Sequence, residues 1–167
     1  MQGVHELGHV LAAFVSGGNV EAIVWHFSTI SRTDVRHNPA PMFVCWSGPV
    51  LGAGLPLLIH VVMQLRNVRS SGWTFYCGFC LLANGAYLAA GSFDRIGDAG
   101  TLISLGCPIG VLWIAGCVMA GAGIQMWHRM GSVSDIGRAK VSLRNLCIQV
   151  FLLLGTVIVQ QFVFRAA

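Results

Sequence analysis

Charged residues are scarce in this chain. Ten Lys and Arg and six Asp and Glu make up 10% of the 167 residues, whereas hydrophobic residues make up 55%. An average globular domain is roughly 25% charged. The composition therefore argues against an ordinary soluble domain and predicts an integral membrane protein. The net charge is only +4, and the basic residues lie near the ends of apolar segments, so we expect a lipid bilayer and no nucleic acid as a partner.

Four long segments have no charged residue at all. They are residues 37–65, 70–93, 99–128 and 145–164. Each is long enough for the ~20 apolar residues that cross a bilayer as a helix. The sequence thus predicts spans near 41–64, 73–91, 106–127 and 146–164 of a multi-pass protein, which we expect in the plasma membrane of a prokaryote.

A fifth helix is predicted near residues 2–15, before Ser16-Gly17-Gly18 interrupts it. About 14 residues are too few to span a bilayer. Either this helix enters the membrane only part-way, or a stretch that precedes it is missing from the chain. The second alternative is our expectation, because a functional site at a free amino terminus would lie on a frayed helical turn. No internal repeat is visible, and residues 1–167 are predicted to form a single membrane domain.

Small residues are frequent in the predicted spans, where they allow helices to approach each other closely. The candidates for such contacts are Gly48, Gly52, Gly116, Ala120, Gly121 and Gly123.

The first helix contains the pattern His5-Glu6-Leu7-Gly8-His9. Residues four apart lie one above the other on a helix, so His5 and His9 can share one metal ion. Glu6 beside them is placed to accept a proton from a zinc-activated water as a general base. This pattern is typical of zinc hydrolases, although a pair of structural histidines can produce it by chance.

A catalytic zinc usually has three protein ligands, so one more residue is required. Asp94 and Asp98 follow the third predicted span, on the side of the membrane where His5 and His9 are expected. Spacing alone does not distinguish the two acids, because residues four apart can share a helix face. Asp98 is the predicted ligand, since the small residues around it, with Gly97 directly before it, allow the chain to open and turn its carboxylate back.

Together these motifs resemble the site-2 protease-like intramembrane zinc metalloproteases. The matching segments are His5-Glu-Leu-Gly-His9 with Gly17-Gly18, Ser47-Gly-Pro-Val-Leu-Gly52 in the next span, and Gly97-Asp98-Ala-Gly100 after the third. All of them lie within residues 1–100. The resemblance implies Zn²⁺ held by His5, His9 and Asp98, with Glu6 as the catalytic residue.

The chain departs from the family near the third ligand. Family members often carry Asn-x-x-Pro-x-x-x-Leu-Asp-Gly there, whereas Asn84 lies farther from either Asp, with no Pro between. Asn84 is nevertheless the candidate for binding the substrate backbone. The alternative is that it forms a hydrogen bond with a neighbouring helix.

Residues 19–36 are apolar with a polar turn, and they are predicted to form a hairpin or short sheet. The resemblance implies that an open edge within residues 20–30 receives the unwound substrate; the alternative is a plain re-entrant connector. His26 in this segment is a less favoured fourth ligand, because a catalytic zinc keeps one position open for water.

The sequence thus predicts an all-α polytopic membrane protein with about five membrane helices and a small β hairpin. We expect a zinc-dependent endopeptidase that cleaves membrane-embedded or membrane-adjacent peptide through a metal-activated water. One alternative is a non-catalytic membrane protein, such as a metal-binding scaffold or a substrate-holding relative, which would not need the base Glu6. A membrane transporter is a further alternative, against which stands the lack of repeated halves.

Overall fold

The computed structural model describes residues 1–24 and 31–130. In this part of the chain, five helices and a two-stranded antiparallel sheet are present. In chain order they are α1 (Gln2–Val15), β1 (Asn19–Val24), β2 (Arg32–His37), α2 (Pro41–Leu65), α3 (Ser71–Asp94), α4 (Gly97–Ser104) and α5 (Ile109–Arg129). The predicted span at 146–164 and His26 lie outside the described residues.

Helices α1, α2, α3 and α5 coincide with the predicted helix at 2–15 and with three of the four predicted spans. Two described helices, α2 and α5, are long and apolar enough to cross a membrane. Helix α3 has 24 residues but is more polar, because it includes Asn84 and several Gly and Ser. The mostly helical fold with a small sheet is therefore confirmed, and membrane association has the support of two helices.

The predicted hairpin between α1 and α2 is also present. Strands β1 and β2 pair antiparallel, with Val24 opposite Arg32 and Ile23 opposite Thr33. Apolar side chains of both strands pack against the small buried residues Ala12 and Ala13 of α1. The hairpin is thereby held against the helix that contains the two predicted histidine ligands.

The chain breaks sharply between α3 and α4. Arg95 caps the C-terminus of α3 with a left-handed backbone, φ 52°, and Gly97 has φ +55°. A Cβ atom on Gly97 would also collide with the Tyr87 hydroxyl. As a result Asp94 ends α3 while Asp98 lies in the first turn of α4, and the expectation that the two acids could share one helix face is wrong.

Two pairs of helices approach each other through glycine. In the antiparallel pair of α3 and α5, Gly85 lies against Gly116 and Gly78 lies against Gly123, so that an added Cβ would meet backbone oxygens at 2.5 to 3.0 Å. Gly121, which was predicted to take part, has no described atom near it. In the pair of α1 and α2, the backbone of Ser47 in α2 lies against Gly8 of α1, and the rings of His5 and His9 lie against Gly48 of α2.

Candidate metal site

Helix α1 places the two histidines of the HExxH pattern one turn apart on its inner face. The ring centroids of His5 and His9 are 4.9 Å apart, in an edge-to-face arrangement. Between them in sequence, Glu6 is only 2% exposed. Burial of an ionised carboxylate costs free energy unless the carboxylate is hydrogen-bonded or paired with a positive charge.

Asp98 joins the histidines from the first turn of α4. Its Oδ2 atom lies 2.8 Å from Nε2 of His5 and 3.4 Å from Nε2 of His9. The three residues each offer one ligand atom, and these atoms lie within 4.8 Å of one another. His5, His9 and Asp98 thus form a cluster that can hold a metal ion.

Both imidazoles are oriented through their other ring nitrogen. Nδ1 of His9 lies 2.8 Å from the carbonyl oxygen of Val44, and Nδ1 of His5 lies 3.1 Å from Oδ1 of Asn84. The Asn84 amide group donates to the Cys80 carbonyl at 2.8 Å, so its oxygen must face His5 and accept the Nδ1 proton. Each ring thus has an acceptor for a proton on Nδ1, which would leave the lone pair of Nε2 for a metal ion, as in most histidines that bind zinc.

Asn84 was predicted to bind substrate or to bond with a neighbouring helix. It is 1% exposed, and both ends of its amide are already engaged by His5 and Cys80. This geometry favours the second alternative, with the additional consequence that Asn84 fixes the tautomer of a metal ligand.

The observed distances can be compared with those around zinc. Ligand atoms at the usual 2.0 to 2.1 Å from a tetrahedral zinc lie roughly 3.3 Å apart. The distance of 3.4 Å from His9 to Asp98 fits this value, and that of 2.8 Å from His5 to Asp98 must increase by about half an ångström. The cluster of two imidazoles and one carboxylate therefore fits the donor set of a catalytic zinc.

Burial by itself would raise the pKa of the Asp98 carboxyl. Hydrogen bonds from His5 and His9, together with their charges, outweigh burial and lower this pKa to about 2. Asp98 is thus ionised at neutral pH, which is the form that binds a metal ion.

Helix α2 makes room for the imidazole rings at Gly48. A Cβ atom at this position would lie 2.3 Å from Nε2 of His9 and 2.8 Å from Nε2 of His5, much closer than van der Waals contact. Only glycine allows α2 to pass directly behind the two ligand nitrogens.

The Glu6 carboxylate accepts a hydrogen bond from a residue of the hairpin. The Thr33 hydroxyl on β2 donates to Oε2 of Glu6 at 2.7 Å. The sequence analysis did not identify Thr33. The available signal was weak, because a Thr two residues before Val35 is an ordinary residue of a short strand.

Beside the cluster is a cavity of about 710 Å³. His9, Asp98 and Cys45 line one part of it, and residues 31–35, which include the start of β2, line another. Among the described residues, β2 pairs with β1 alone, so its other edge is open. β1 likewise has an outer edge without a described partner strand, and its Glu21 lines the same cavity. The open edge within residues 20–30 stays a prediction, and residues 25–30 lie outside the described part of the chain.

Asp94, the alternative third ligand, is exposed at the end of α3 and lies outside the cluster. The left-handed turn at Arg95 separates its direction from that of Asp98. Within the described part of the chain, no ion pair joins Asp94 to the adjacent Arg95.

In comparisons with protein-family models, curated proteins and solved structures, nothing matches this chain. Its function is therefore inferred from its own residues.

Proposed function

We propose that this protein is a zinc-dependent intramembrane endopeptidase, similar to the site-2 protease-like metalloproteases. The observation that carries the proposal is the convergence of His5 and His9 from α1 with Asp98 from α4, with the buried carboxylate of Glu6 beside them. Two ligands four residues apart are common by chance. A third ligand that reaches them from 93 residues away, together with acceptors on both Nδ1 atoms, is not expected of two ordinary core histidines.

Zinc, when bound, lowers the pKa of a coordinated water to about 7 and polarises the carbonyl of the scissile bond. The chain supplies the proton transfers. Glu6 accepts a proton from the attacking water and then donates it to the nitrogen of the scissile bond. The product therefore leaves as a neutral amine and not as an amide anion. A scaffold that only stores metal would have no use for a buried acid at this position, which is why catalysis is preferred over the scaffold.

The proposed substrate is a membrane-embedded or membrane-adjacent peptide. A helix must unwind before its peptide bonds become accessible, and in lipid each unpaired backbone group costs several kcal/mol. Residues of β2 line the cavity beside the cluster, and the outer edge of this strand has no described partner strand. It can pair with the unwound segment as an added strand and satisfy those backbone groups.

The two apolar helices α2 and α5, together with the four charge-free segments, support a multi-pass protein in a lipid bilayer. The plasma membrane of a prokaryote is the proposed location. The cluster contacts Val44 and Gly48 in the amino-terminal half of α2 and Asn84 in the carboxyl-terminal half of α3, so that it would lie toward one side of such a bilayer.

The proposal is tested with detergent-solubilised protein and a labelled membrane-helix peptide. We expect about one zinc per chain, measured by atomic absorption, and cleavage that Glu6→Gln reduces by at least roughly 1,000-fold while the zinc remains. His5→Ala should lose both. Asp94→Asn, a change of an exposed acid that does not line the cavity, is the control and should behave as the wild type.

Three results would contradict this proposal. Undiminished cleavage by Glu6→Gln would remove Glu6 as the base. Equal loss of zinc in Glu6→Gln and His5→Ala would make Glu6 a ligand. Zinc binding by the wild type without cleavage of any membrane peptide would favour the metal-binding scaffold.

A further inference from the structure

A hydrogen bond joins the hairpin to the acid of the HExxH pattern. Thr33 Oγ1 lies 2.7 Å from Oε2 of Glu6, a length typical of a hydroxyl that donates to a carboxylate. The two residues lie on different elements, β2 and α1, and are separated by 27 positions in sequence. The contact is therefore a product of the tertiary fold and not of local geometry.

The Thr33 hydroxyl is unusual because it lies on a face of β2 where an apolar side chain would fit. Side chains two apart on a strand share a face, and Val35 on the same face packs against Ala12, Ala13 and Val44. A valine at position 33 would have nearly the same shape as threonine and would suit this surface. The hydroxyl is the one feature that distinguishes Thr33 from such a valine, and it points at Glu6.

The orientation of a glutamate carboxylate is weakly determined by its own chain, because the torsion about its last carbon–carbon bond is broad. General base catalysis nevertheless requires one carboxylate oxygen within hydrogen-bond reach of the water. A fixed partner on the other oxygen removes this freedom. In this structure that partner is Thr33, which donates to Oε2.

We propose that Thr33 is a positioning residue for Glu6, and that β2 thereby holds the base as well as lining the cavity that receives substrate. This inference rests on the function proposed above. It adds a residue that lies outside every motif of the sequence. The opposing interpretation is that the hydroxyl serves only to satisfy a buried acid, in which case it affects stability and not the rate of the chemical step.

Kinetics of three variants separate the two interpretations. Thr33→Val removes the hydroxyl and keeps the shape, Thr33→Ser keeps the hydroxyl, and Thr33→Ala is a second variant without it. We expect Val and Ala to lower kcat about tenfold with KM and zinc content unchanged, since a hydrogen bond to a charged group is lost. Thr33→Ser should retain most of the wild-type kcat.

A second measurement uses the chelated protein and does not depend on activity. Thr33→Val should lower the midpoint temperature of unfolding by about 4 °C in the wild-type background. In the Glu6→Ala background, where the acceptor is absent, the same change should have no effect. An equal shift in both backgrounds would show that the hydroxyl does not interact with Glu6.

The outcomes also distinguish this inference from the proposed function. If the wild type cleaves, Glu6→Gln does not, and Thr33→Val has the kcat of the wild type, then the positioning role is overturned and the peptidase remains. A decrease in kcat in Thr33→Ser as large as that in Thr33→Val would also overturn it. If the zinc-loaded wild type cleaves no peptide, the proposed function is overturned, and the kinetic role of Thr33 with it.

Discussion

In the interface of α3 and α5, glycines bring one backbone against another, whereas at Gly48 of α2 a glycine brings a backbone against two imidazole rings. A Cβ added to Gly123 would lie 2.5 Å from the Gly78 carbonyl oxygen, and one added to Gly48 would lie 2.3 Å from Nε2 of His9. In sequence the two situations look alike, as small residues in apolar helices. In the structure the glycines of the first region lie between two helix backbones, whereas Gly48 lies against the rings of two candidate metal ligands.

The largest effect on zinc affinity is expected for Asp98, the proposed third ligand next to the Gly48 region. Asp98→Asn should lower the affinity for zinc by more than about 100-fold and abolish cleavage, because it removes the only carboxylate in the cluster. Asp94→Asn, a change of the exposed acid four residues earlier, is the matched control. Zinc affinity is measured by competition with a chelating dye.

The reverse result for the two variants would make Asp94 the ligand and would contradict the separation of α3 from α4. Retention of zinc by both would mean that a residue outside the described cluster, such as His26, completes the site.

An intermediate effect is expected when the glycine behind the histidines is filled. Gly48→Ala should reduce zinc affinity by about 10- to 100-fold, because overpacking typically costs about 1 to 3 kcal/mol and must be relieved by moving a ligand ring. Circular dichroism should show an unchanged helix content. Gly54→Ala in the same helix, where no described atom lies within 4 Å, should bind zinc normally. Equal affinities of the two variants would show that the rings have room to move.

The smallest effect on zinc affinity is expected for a substitution in the interface of α3 and α5. Gly123→Ala places a Cβ against the Gly78 carbonyl oxygen, so it should lower the midpoint temperature of unfolding by about 5 °C. Its zinc affinity should remain within about twofold of the wild type, since the interface is remote from the cluster. Gly121→Ala on the same helix is the control and should leave both quantities unchanged. A large loss of zinc in Gly123→Ala would show that the two regions are energetically coupled.

The elements of the fold were largely predictable from local pattern. The ends of α1 and α2 follow from the Ser16-Gly17-Gly18 break and from the charge-free run after the hairpin. The separation of α3 from α4 was predicted in part: Gly97 was expected to let the chain open, whereas the left-handed backbone at Arg95 belongs to a residue type that gives no such signal. Spacing therefore could not exclude Asp94, and the choice of Asp98 depended on the small residues next to it.

The ligands of the candidate site were easier to predict than the residues that orient them. His5, Glu6 and His9 lie in one helical motif whose chemistry is apparent from sequence. Asn84 and Thr33 act through contacts 79 and 27 residues away, and an Asn in an apolar helix or a Thr in a strand is common. Only the tertiary structure shows that Asn84 contacts His5 and that Thr33 contacts Glu6.

The distance in sequence between His5 and Asp98, 93 residues, has a consequence for the stability of the whole chain. A metal ion shared by these two residues closes a loop around most of the described structure, and it acts as a reversible cross-link between the first helix and the fourth. A ligand that binds only the folded state stabilises it by about 4 kcal/mol when its concentration is 1,000 times its Kd. A bound metal ion would then also fasten the amino-terminal helix to the rest of the protein, so that depletion of metal should loosen the helix that carries Glu6.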